Sequence, residues 1–199
     1  MLFRSAAALA HRRNLYPQLD SYRVVYGESD HLPGLVVDKY GDYLSIQLLS
    51  AGMDRRRGLI LDALQRLFSP KGIIARNDVA VRSMEGLSEG VELLAGEVPQ
   101  KISMQENGLT FEVDLWQGQK TGGFLDQKEN HRLLKHVAKG KEVLDGFCYS
   151  GSWACHAGLF GATSVLGLDI SAKAVTLAAR NAARNNLTDR VRFEECDVF

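Results

Sequence analysis

The sequence predicts an α/β protein whose second half is built on a parallel sheet, and three observations support this prediction. Beyond about residue 140, short apolar runs alternate with segments of helix length, as in parallel strands joined by right-handed crossovers. The first of these runs leads from Val143 into a turn of glycine and serine, and the second ends at an acid, Asp169. Since the carboxyl ends of parallel strands share one sheet edge, we expect the turn and the acid to face one ligand.

Helices and strands of the second half follow from caps and apolar periodicity. Ser171 is an N-cap candidate for a helix over 172–185, and Asp126 is one for a helix over 127–137, because short polar side chains accept hydrogen bonds from the first helical amides. A further helix is expected over 153–159. The predicted strands are 142–145, 164–168 and 190–194.

The first half predicts a small α+β domain over residues 20–115. A helix over 54–68 places Ile60, Leu64, Leu67 and Phe68 on one stripe. Asn107-Gly108 predicts a type I′ turn between strands 102–105 and 109–114, while 77–96 looks rich in loops. The other expected strands are 22–26, 35–38, 43–49 and 71–76. We interpret 1–19 as a linker or the remnant of a preceding domain rather than a transit peptide, and 116–199 as a second domain.

Composition limits the function classes. Lysine plus arginine and aspartate plus glutamate number 24 each, so there is no overall attraction to nucleic acid or membrane. A local basic patch remains open, and its candidates are Arg55, Arg56, Arg57, Arg76 and Arg82. No apolar run approaches the roughly 20 residues of a membrane helix.

Cysteines and histidines give no reason to expect a metal. Three cysteines without zinc-ligand spacing indicate a reducing compartment, here the cytoplasm, and free thiols in structural roles. We expect solvated or capping roles for the three histidines of the second half, which are His131, His136 and His156.

The turn after Asp145 indicates the kind of ligand. It holds only Gly146 and Gly151, so the G-x-G-x-x-G fingerprint of a dinucleotide is incomplete. An amino-acid carboxylate beside an adenosine fits better, and this predicts S-adenosylmethionine (SAM). Amides near Ser150 and Gly151 would meet the carboxylate. Asp169 would accept from the ribose, Asp197 from the adenine amino group, and Val198 or Ile170 would pack on the ring.

Four stretches resemble one known family, the SAM-dependent large-subunit ribosomal RNA cytosine-5 methyltransferases. They are Gly27–Asp42, Arg76–Leu87, Gly118–Asn130 and the loop Phe147–Trp153, and the resemblance covers nearly the whole chain from Tyr22. It implies a PUA domain, a small central domain and a class I Rossmann-like methyltransferase domain, of which this chain would hold the central domain and the first three strands. The implied cofactor contacts are Lys120, Thr121, Phe124, Asp126, Gln127, Phe147, Tyr149, Gly151, Asp169 and Asp197.

The same resemblance implies a reaction on large-subunit ribosomal RNA. A cysteine thiolate adds to C6 of cytosine, C5 takes the methyl group, and a base removes the C5 proton. We expect the catalytic cysteine and the base beyond Phe199, so that this chain, truncated at both ends, has no catalytic residue and no turnover by itself. A homodimer is allowed. The alternatives are a non-catalytic RNA-binding module, a nicotinamide-dependent oxidoreductase, and a methyltransferase acting on DNA or another base.

Overall fold

The computed structural model describes all 199 residues, and these form two compact units. Unit 1 comprises Met1–Met104 and Val113–Leu125, and unit 2 comprises Gln105–Glu112 and Asp126–Phe199. The predicted domain boundary at 115/116 stays a prediction. Every helix falls short of the length and apolarity that a bilayer span requires.

Unit 1 is built on a five-stranded sheet of order β1-β2-β3-β4-β5. Strands β3 and β4 run parallel, and the other neighbours are antiparallel. The chain makes the parallel crossover through two helices, α2 (Ala51–Asp54) and α3 (Arg57–Phe68). The strands are β1 (Ser21–Tyr26), β2 (Leu35–Tyr40), β3 (Tyr43–Leu48), β4 (Gly72–Arg76) and β5 (Val91–Gly96).

The core of unit 1 lies between this sheet and two helices. Helix α3 buries Ile60 and Leu64, with Leu67 and Phe68 packed against them, which confirms the predicted stripe. Helix α1 (Leu2–Leu15) adds Ala8 and Leu9 to the same core. The segment interpreted from the sequence as a linker or the remnant of a preceding domain thus forms a helix that packs on the core of unit 1.

Two sequence predictions for unit 1 are wrong. The expected helix over 54–68 is interrupted, since α2 ends at Asp54 and α3 begins at Arg57, and Ser50 caps α2 by accepting from the Met53 amide. The expected loop over 77–96 contains a short helix, α4 (Val81–Met84), and strand β5. Strand β5 lies at the sheet edge with mostly unburied residues, so its sequence lacks the alternation that marks a strand.

Strands β6 (Ile102–Glu106) and β7 (Leu109–Val113) form a separate two-stranded sheet. Their turn has φ of +50° at Asn107 and +89° at Gly108. Positive φ at both central residues is the signature of a type I′ turn, so the predicted hairpin is confirmed.

Unit 2 contains a parallel sheet of order β10-β9-β8, which confirms the predicted half-sheet. Its strands and connecting helices are β8 (Glu142–Gly146), α6 (Ser152–Leu159), β9 (Ser164–Asp169), α7 (Ala172–Arg184) and β10 (Val191–Glu195). Ser171 caps α7 as predicted, because its side chain accepts from the Ala174 amide. Edge strand β8 exposes 65% of Leu144.

The helix predicted over 127–137 is shorter than expected. Helix α5 (Lys128–Leu133) has Gln127 as its N-cap without a side-chain cap hydrogen bond, so Asp126 is not the cap. A 3₁₀ turn, Leu134–His136, follows. Leu133 and Val137 are 60% and 62% exposed and Leu134 is half-buried, so only part of the apolar face expected to hold a longer helix is packed.

Candidate functional site

The loop between β8 and α6 in unit 2 has an unusual backbone. Every second residue is left-handed, with φ of +61° at Phe147, +46° at Tyr149 and +73° at Gly151. For the two aromatic residues this conformation costs about 1–2 kcal/mol each. Such strain persists only where surrounding contacts enforce it, and it concentrates at ligand sites.

Hydrogen bonds from neighbouring elements hold the strained loop. The amide of Cys148 donates to the Leu168 carbonyl at the end of β9 (2.8 Å). From α7, the fully buried Asn181 donates through Nδ2 to the Ser150 carbonyl (3.0 Å). Hydrogen bonds to β9 and to α7 thus hold the loop in the absence of a ligand.

Gly151 is required by its surroundings as well as by its φ. A Cβ atom there would lie 2.7 Å from the Phe193 ring and 2.9 Å from the Ala178 methyl. Carbon atoms in contact prefer separations of about 3.5–4.0 Å. Only glycine allows the start of α6 to approach β10 and α7 this closely.

Asp169 lies where the sequence predicted it, at the tip of β9, and it is half-buried. Its Oδ2 accepts from the Tyr149 amide and its Oδ1 from the Ser171 amide, both at 2.9 Å. A carboxylate has about four lone-pair positions, so these two bonds leave acceptor capacity for ribose hydroxyls. The neighbouring Ile170 is 69% exposed and available to pack on a ring.

The predicted adenine contacts Asp197 and Val198 follow the end of β10 and lie in unit 2. Asp197 is exposed and accepts from the Phe199 amide (3.1 Å). Val198 is half-buried, and its Cγ1 would lie 3.5 Å from a Cβ at Gly146. The ring centroids of Phe199 and Phe147 are 5.5 Å apart. Residues that follow β8 and β10 therefore meet beside the loop.

Asp145 is a site residue that sequence reasoning missed. Its Oδ2 accepts from the Ala154 amide in the first turn of α6 (3.0 Å). Burial raises its pKa to about 6, and the nearby Asp169 carboxylate adds to this shift. The available signal was its place at the end of a strand, the same signal that identified Asp169.

The remaining predicted contacts lie on the segment that precedes α5. Asp126 is exposed and Gln127 half-buried in unit 2. Lys120, Thr121 and Phe124 belong to unit 1, where the Lys120 ammonium lies 4.2 Å from the centroid of the Phe124 ring. Thr121 is fully buried, so its side chain does not face a ligand in this conformation.

Two thiols in unit 2 are unsuited to nucleophilic chemistry. Burial raises the pKa of Cys148 and of Cys155 to about 12, and the Asp145 charge adds to both shifts. Since the thiolate is the nucleophile, neither side chain attacks a base at neutral pH. Their geometry fits the predicted structural roles.

The prediction for the histidines is wrong for two of the three. His136 is exposed, but His131 and His156 are 1% and 0% exposed. Their partner is the buried Glu106, whose Oε1 lies 2.6 Å from His131 Nδ1 and 3.6 Å from His156 Nε2. The hairpin and helices α5 and α6 each supply one member, so no local spacing reveals the cluster.

These three side chains place donor atoms within 4.8 Å of one another, as a metal site would. The two imidazole rings, however, stack with centroids 4.6 Å apart and planes 19° apart. A ring nitrogen directs its lone pair within the ring plane, and two stacked planes do not share one ion. The cluster is therefore a buried hydrogen-bonded group rather than a coordination shell in this conformation.

The candidate arginine patch is not formed. Arg76 and Arg82 are 4% and 2% exposed, and Arg82 donates to the Leu48 and Ser88 carbonyls. Arg57 pairs with Asp54 and Glu92 at 3.2 and 2.7 Å. Of the five arginines only Arg55 and Arg56 are exposed, which weakens the interpretation of this domain as an RNA-binding module.

Residues 76–199 match a protein family described as S-adenosylmethionine-dependent methyltransferase. The chain belongs to this family. The match confirms SAM as the predicted cofactor of the methyltransferase and supports the nucleotide-binding interpretation of its strand tips.

Relatives of this methyltransferase carry a more specific name. The "Ribosomal RNA large subunit methyltransferase I" of Tolumonas auensis is 44% identical over 185 residues, which are 92% of this chain and 47% of the relative. That of Pseudoalteromonas atlantica is 43% identical over 182 residues, 91% and 46% of the two chains. The chain thus spans about half the length of the curated relatives it matches.

A solved sam-dependent methyltransferase from Streptococcus mutans has the same fold. It superposes with a TM-score of 0.86 at 24% identity, and the match covers 100% of this chain and 52% of that one. At this identity the likeness concerns the fold alone. It agrees with the Rossmann-like class predicted from the sequence.

Proposed function

We propose that this chain is part of an enzyme that transfers the methyl group of SAM to C5 of a cytosine in large-subunit ribosomal RNA. The observation that carries the large-subunit ribosomal RNA as substrate is the printed name of the relatives, at 44% and 43% identity over more than nine-tenths of the chain. The choice of C5 of cytosine rests on the residue motifs that resemble the cytosine-5 methyltransferase family.

The cofactor would occupy the edge of unit 2 where β8, β9 and β10 end. The loop amides near Ser150 and Gly151 would receive the methionine carboxylate, since helix N-termini and free amides attract anions. Asp169 would hold the ribose and Asp197 the adenine amino group, with Ile170 and Val198 against the ring. Lys120, Phe124, Asp126, Gln127, Phe147 and Tyr149 remain proposed contacts on the strength of the resemblance, whereas the buried Thr121 does not.

The chemistry at cytosine would require a thiolate that adds to C6 and a base that takes the C5 proton. The raised pKa values of Cys148 and Cys155 argue against either as that nucleophile. A cytoplasmic location and a homodimer stay predictions.

Two measurements test the proposal. Isothermal titration of the protein with SAM and with NAD should give binding for SAM only, because the loop lacks the glycines of a dinucleotide cradle; tighter binding of NAD would favour an oxidoreductase. Disruption of the gene should remove one 5-methylcytidine from large-subunit ribosomal RNA, measured by mass spectrometry. An unchanged set of 5-methylcytidines, with a methyl group lost from another base or from DNA, would overturn the cytosine-5 assignment.

A further inference from the structure

A chain of buried hydrogen bonds in unit 1 ends at Thr121. The Thr121 hydroxyl donates to Oδ2 of Asp38, and Tyr40 Oη lies 3.1 Å from Thr121 Oγ1. A hydroxyl has only one proton, so Tyr40 donates to Thr121 while Thr121 donates to Asp38. We call Asp38, Tyr40 and Thr121 the Thr121 anchor; all three are 0% exposed.

The charge of the anchor is balanced within unit 1. Arg23 donates to both oxygens of Asp38, through Nε and a terminal nitrogen, at 2.8 Å each. Burial raises the pKa of Tyr40, and the Asp38 charge adds to this shift, so the phenol keeps its proton and acts as a donor. Hydrogen bonds to a charged partner are the stronger kind, and each donor here has a buried acceptor.

The same segment is held a second time near its start. Arg76 donates to the carbonyls of Leu115 (3.1 Å) and Gly118 (2.6 Å), and it pairs with Asp78 at 2.8 Å. Residues 118–121 are thus fixed to the ends of β2 and β4 by side chains that do not reach solvent. Three of the four stretches that carry the family resemblance contact one another here.

We propose that the Thr121 anchor is a positioning device, which fixes the backbone of residues 118–125 and with it Lys120 and Phe124, the two side chains of this segment for which the resemblance implies cofactor contacts. The inference rests on the proposed function, because the cofactor contacts of this segment are themselves proposals. It assigns Thr121 a different role from the direct contact that the resemblance implies. Asp38 and Tyr40, which lie in the stretch Gly27–Asp42 but were given no role from the sequence, become positioning residues.

Four single variants of the full chain separate these roles. Thr121→Val removes the hydroxyl at nearly constant volume, and Thr121→Ser keeps it. Tyr40→Phe removes the donor at the other end of the chain of bonds. Ser45→Ala is the matched control, because Ser45 pairs with Asp38 across β2 and β3 and its buried hydroxyl has no partner.

Two readouts are measured on each variant, namely amide hydrogen exchange over residues 118–125 and the dissociation constant for SAM. Thr121→Val and Tyr40→Phe are expected to speed exchange in this segment and to weaken SAM binding by about 5-fold or more, with Thr121→Ser and Ser45→Ala within about 2-fold of wild type. The double variant should add little to either single one, since both break the same chain of bonds.

Three results would overturn the anchor. One is unchanged exchange over 118–125 in both Thr121→Val and Tyr40→Phe. Another is faster exchange with unaltered SAM affinity. The third is weakened binding in Thr121→Val but not in Tyr40→Phe, which would identify Thr121 as a direct contact. If the wild-type chain does not bind SAM, the proposed cofactor contacts of this chain fail, and hydrogen exchange alone decides whether the anchor holds the segment.

Discussion

Gly151 and Gly140 provide a matched test of how tightly the loop is packed. Both have nearly the same left-handed backbone, with φ of +73° and +72°. An added Cβ would meet nothing within 4 Å at Gly140, but would lie 2.7 Å from the Phe193 ring and 2.9 Å from Ala178 at Gly151. Replacing each by alanine therefore changes backbone strain equally and changes packing at one site only.

The magnitudes follow from these two terms. Gly140→Ala should lower the free energy of unfolding by about 1–2 kcal/mol, the cost of a left-handed alanine. Gly151→Ala carries the same cost and adds overpacking of about 1–3 kcal/mol. The free energy of unfolding of Gly151→Ala should therefore fall by about 2–5 kcal/mol. SAM affinity should fall in Gly151→Ala alone, because the overpacking displaces the loop amides.

Urea unfolding measures the difference. The chain has two tryptophans, and a Trp116→Phe background leaves Trp153, in α6 of unit 2, as the only tryptophan of the chain. The midpoint and slope then give the free energy of unfolding by linear extrapolation. Equal losses for both variants, within about 0.5 kcal/mol, would refute the close approach at Gly151.

Two further predictions concern buried charges. At pH 8, Asp145→Asn should raise the free energy of unfolding by about 1–3 kcal/mol. The reason is that the pKa of Asp145 is raised to about 6 from 3.8, so that above pH 6 the folded protein buries a charged carboxylate and loses stability. The gain should vanish as the pH falls through 6 towards 3.8; an equal gain at pH 8 and pH 4 in urea unfolding would contradict this. Arg82→Met should cost about 3–5 kcal/mol in the same assay, since Asp54 and the Leu48 carbonyl lose their buried donor, while the exposed Arg55→Met should stay within about 0.5 kcal/mol. Similar losses for both arginines would show that the Arg82 contacts contribute little.

The sequence predicts the parallel half-sheet well because its signals are local. The apolar runs of β8, β9 and β10 stand between recognisable turns, and Ser171 marks the start of α7 by its own hydrogen bond to Ala174. Asp169 ends β9, and this position does not depend on distant parts of the chain. Structural features that depend only on neighbouring residues can therefore be predicted from the sequence.

Buried polar groups escape such reasoning because their partners are distant in sequence. Thr121 meets Asp38 across 83 residues, and Arg82 meets the Leu48 carbonyl across 34. Arg76 likewise looks like a surface cation until the Gly118 carbonyl, 42 residues away, is seen to accept from it. The sequence near an arginine or a threonine does not show that its partner is distant and buried. The basic patch was therefore expected from residue type, and the contact role of Thr121 from the resemblance.

Asp169 accepts hydrogen bonds from two amides, and its carboxylate therefore takes part in two equilibria. One is the ordering of the loop, through the bond from Tyr149, and the other is the binding of the nucleoside. Because coupling between two such equilibria is reciprocal, a bound ribose should lower the equilibrium constant for opening of the Tyr149–Asp169 bond by the same factor by which opening lowers the affinity for the ribose. A substitution at Asp169 would therefore report the sum of both effects, and only an analogue lacking the ribose hydroxyls separates them.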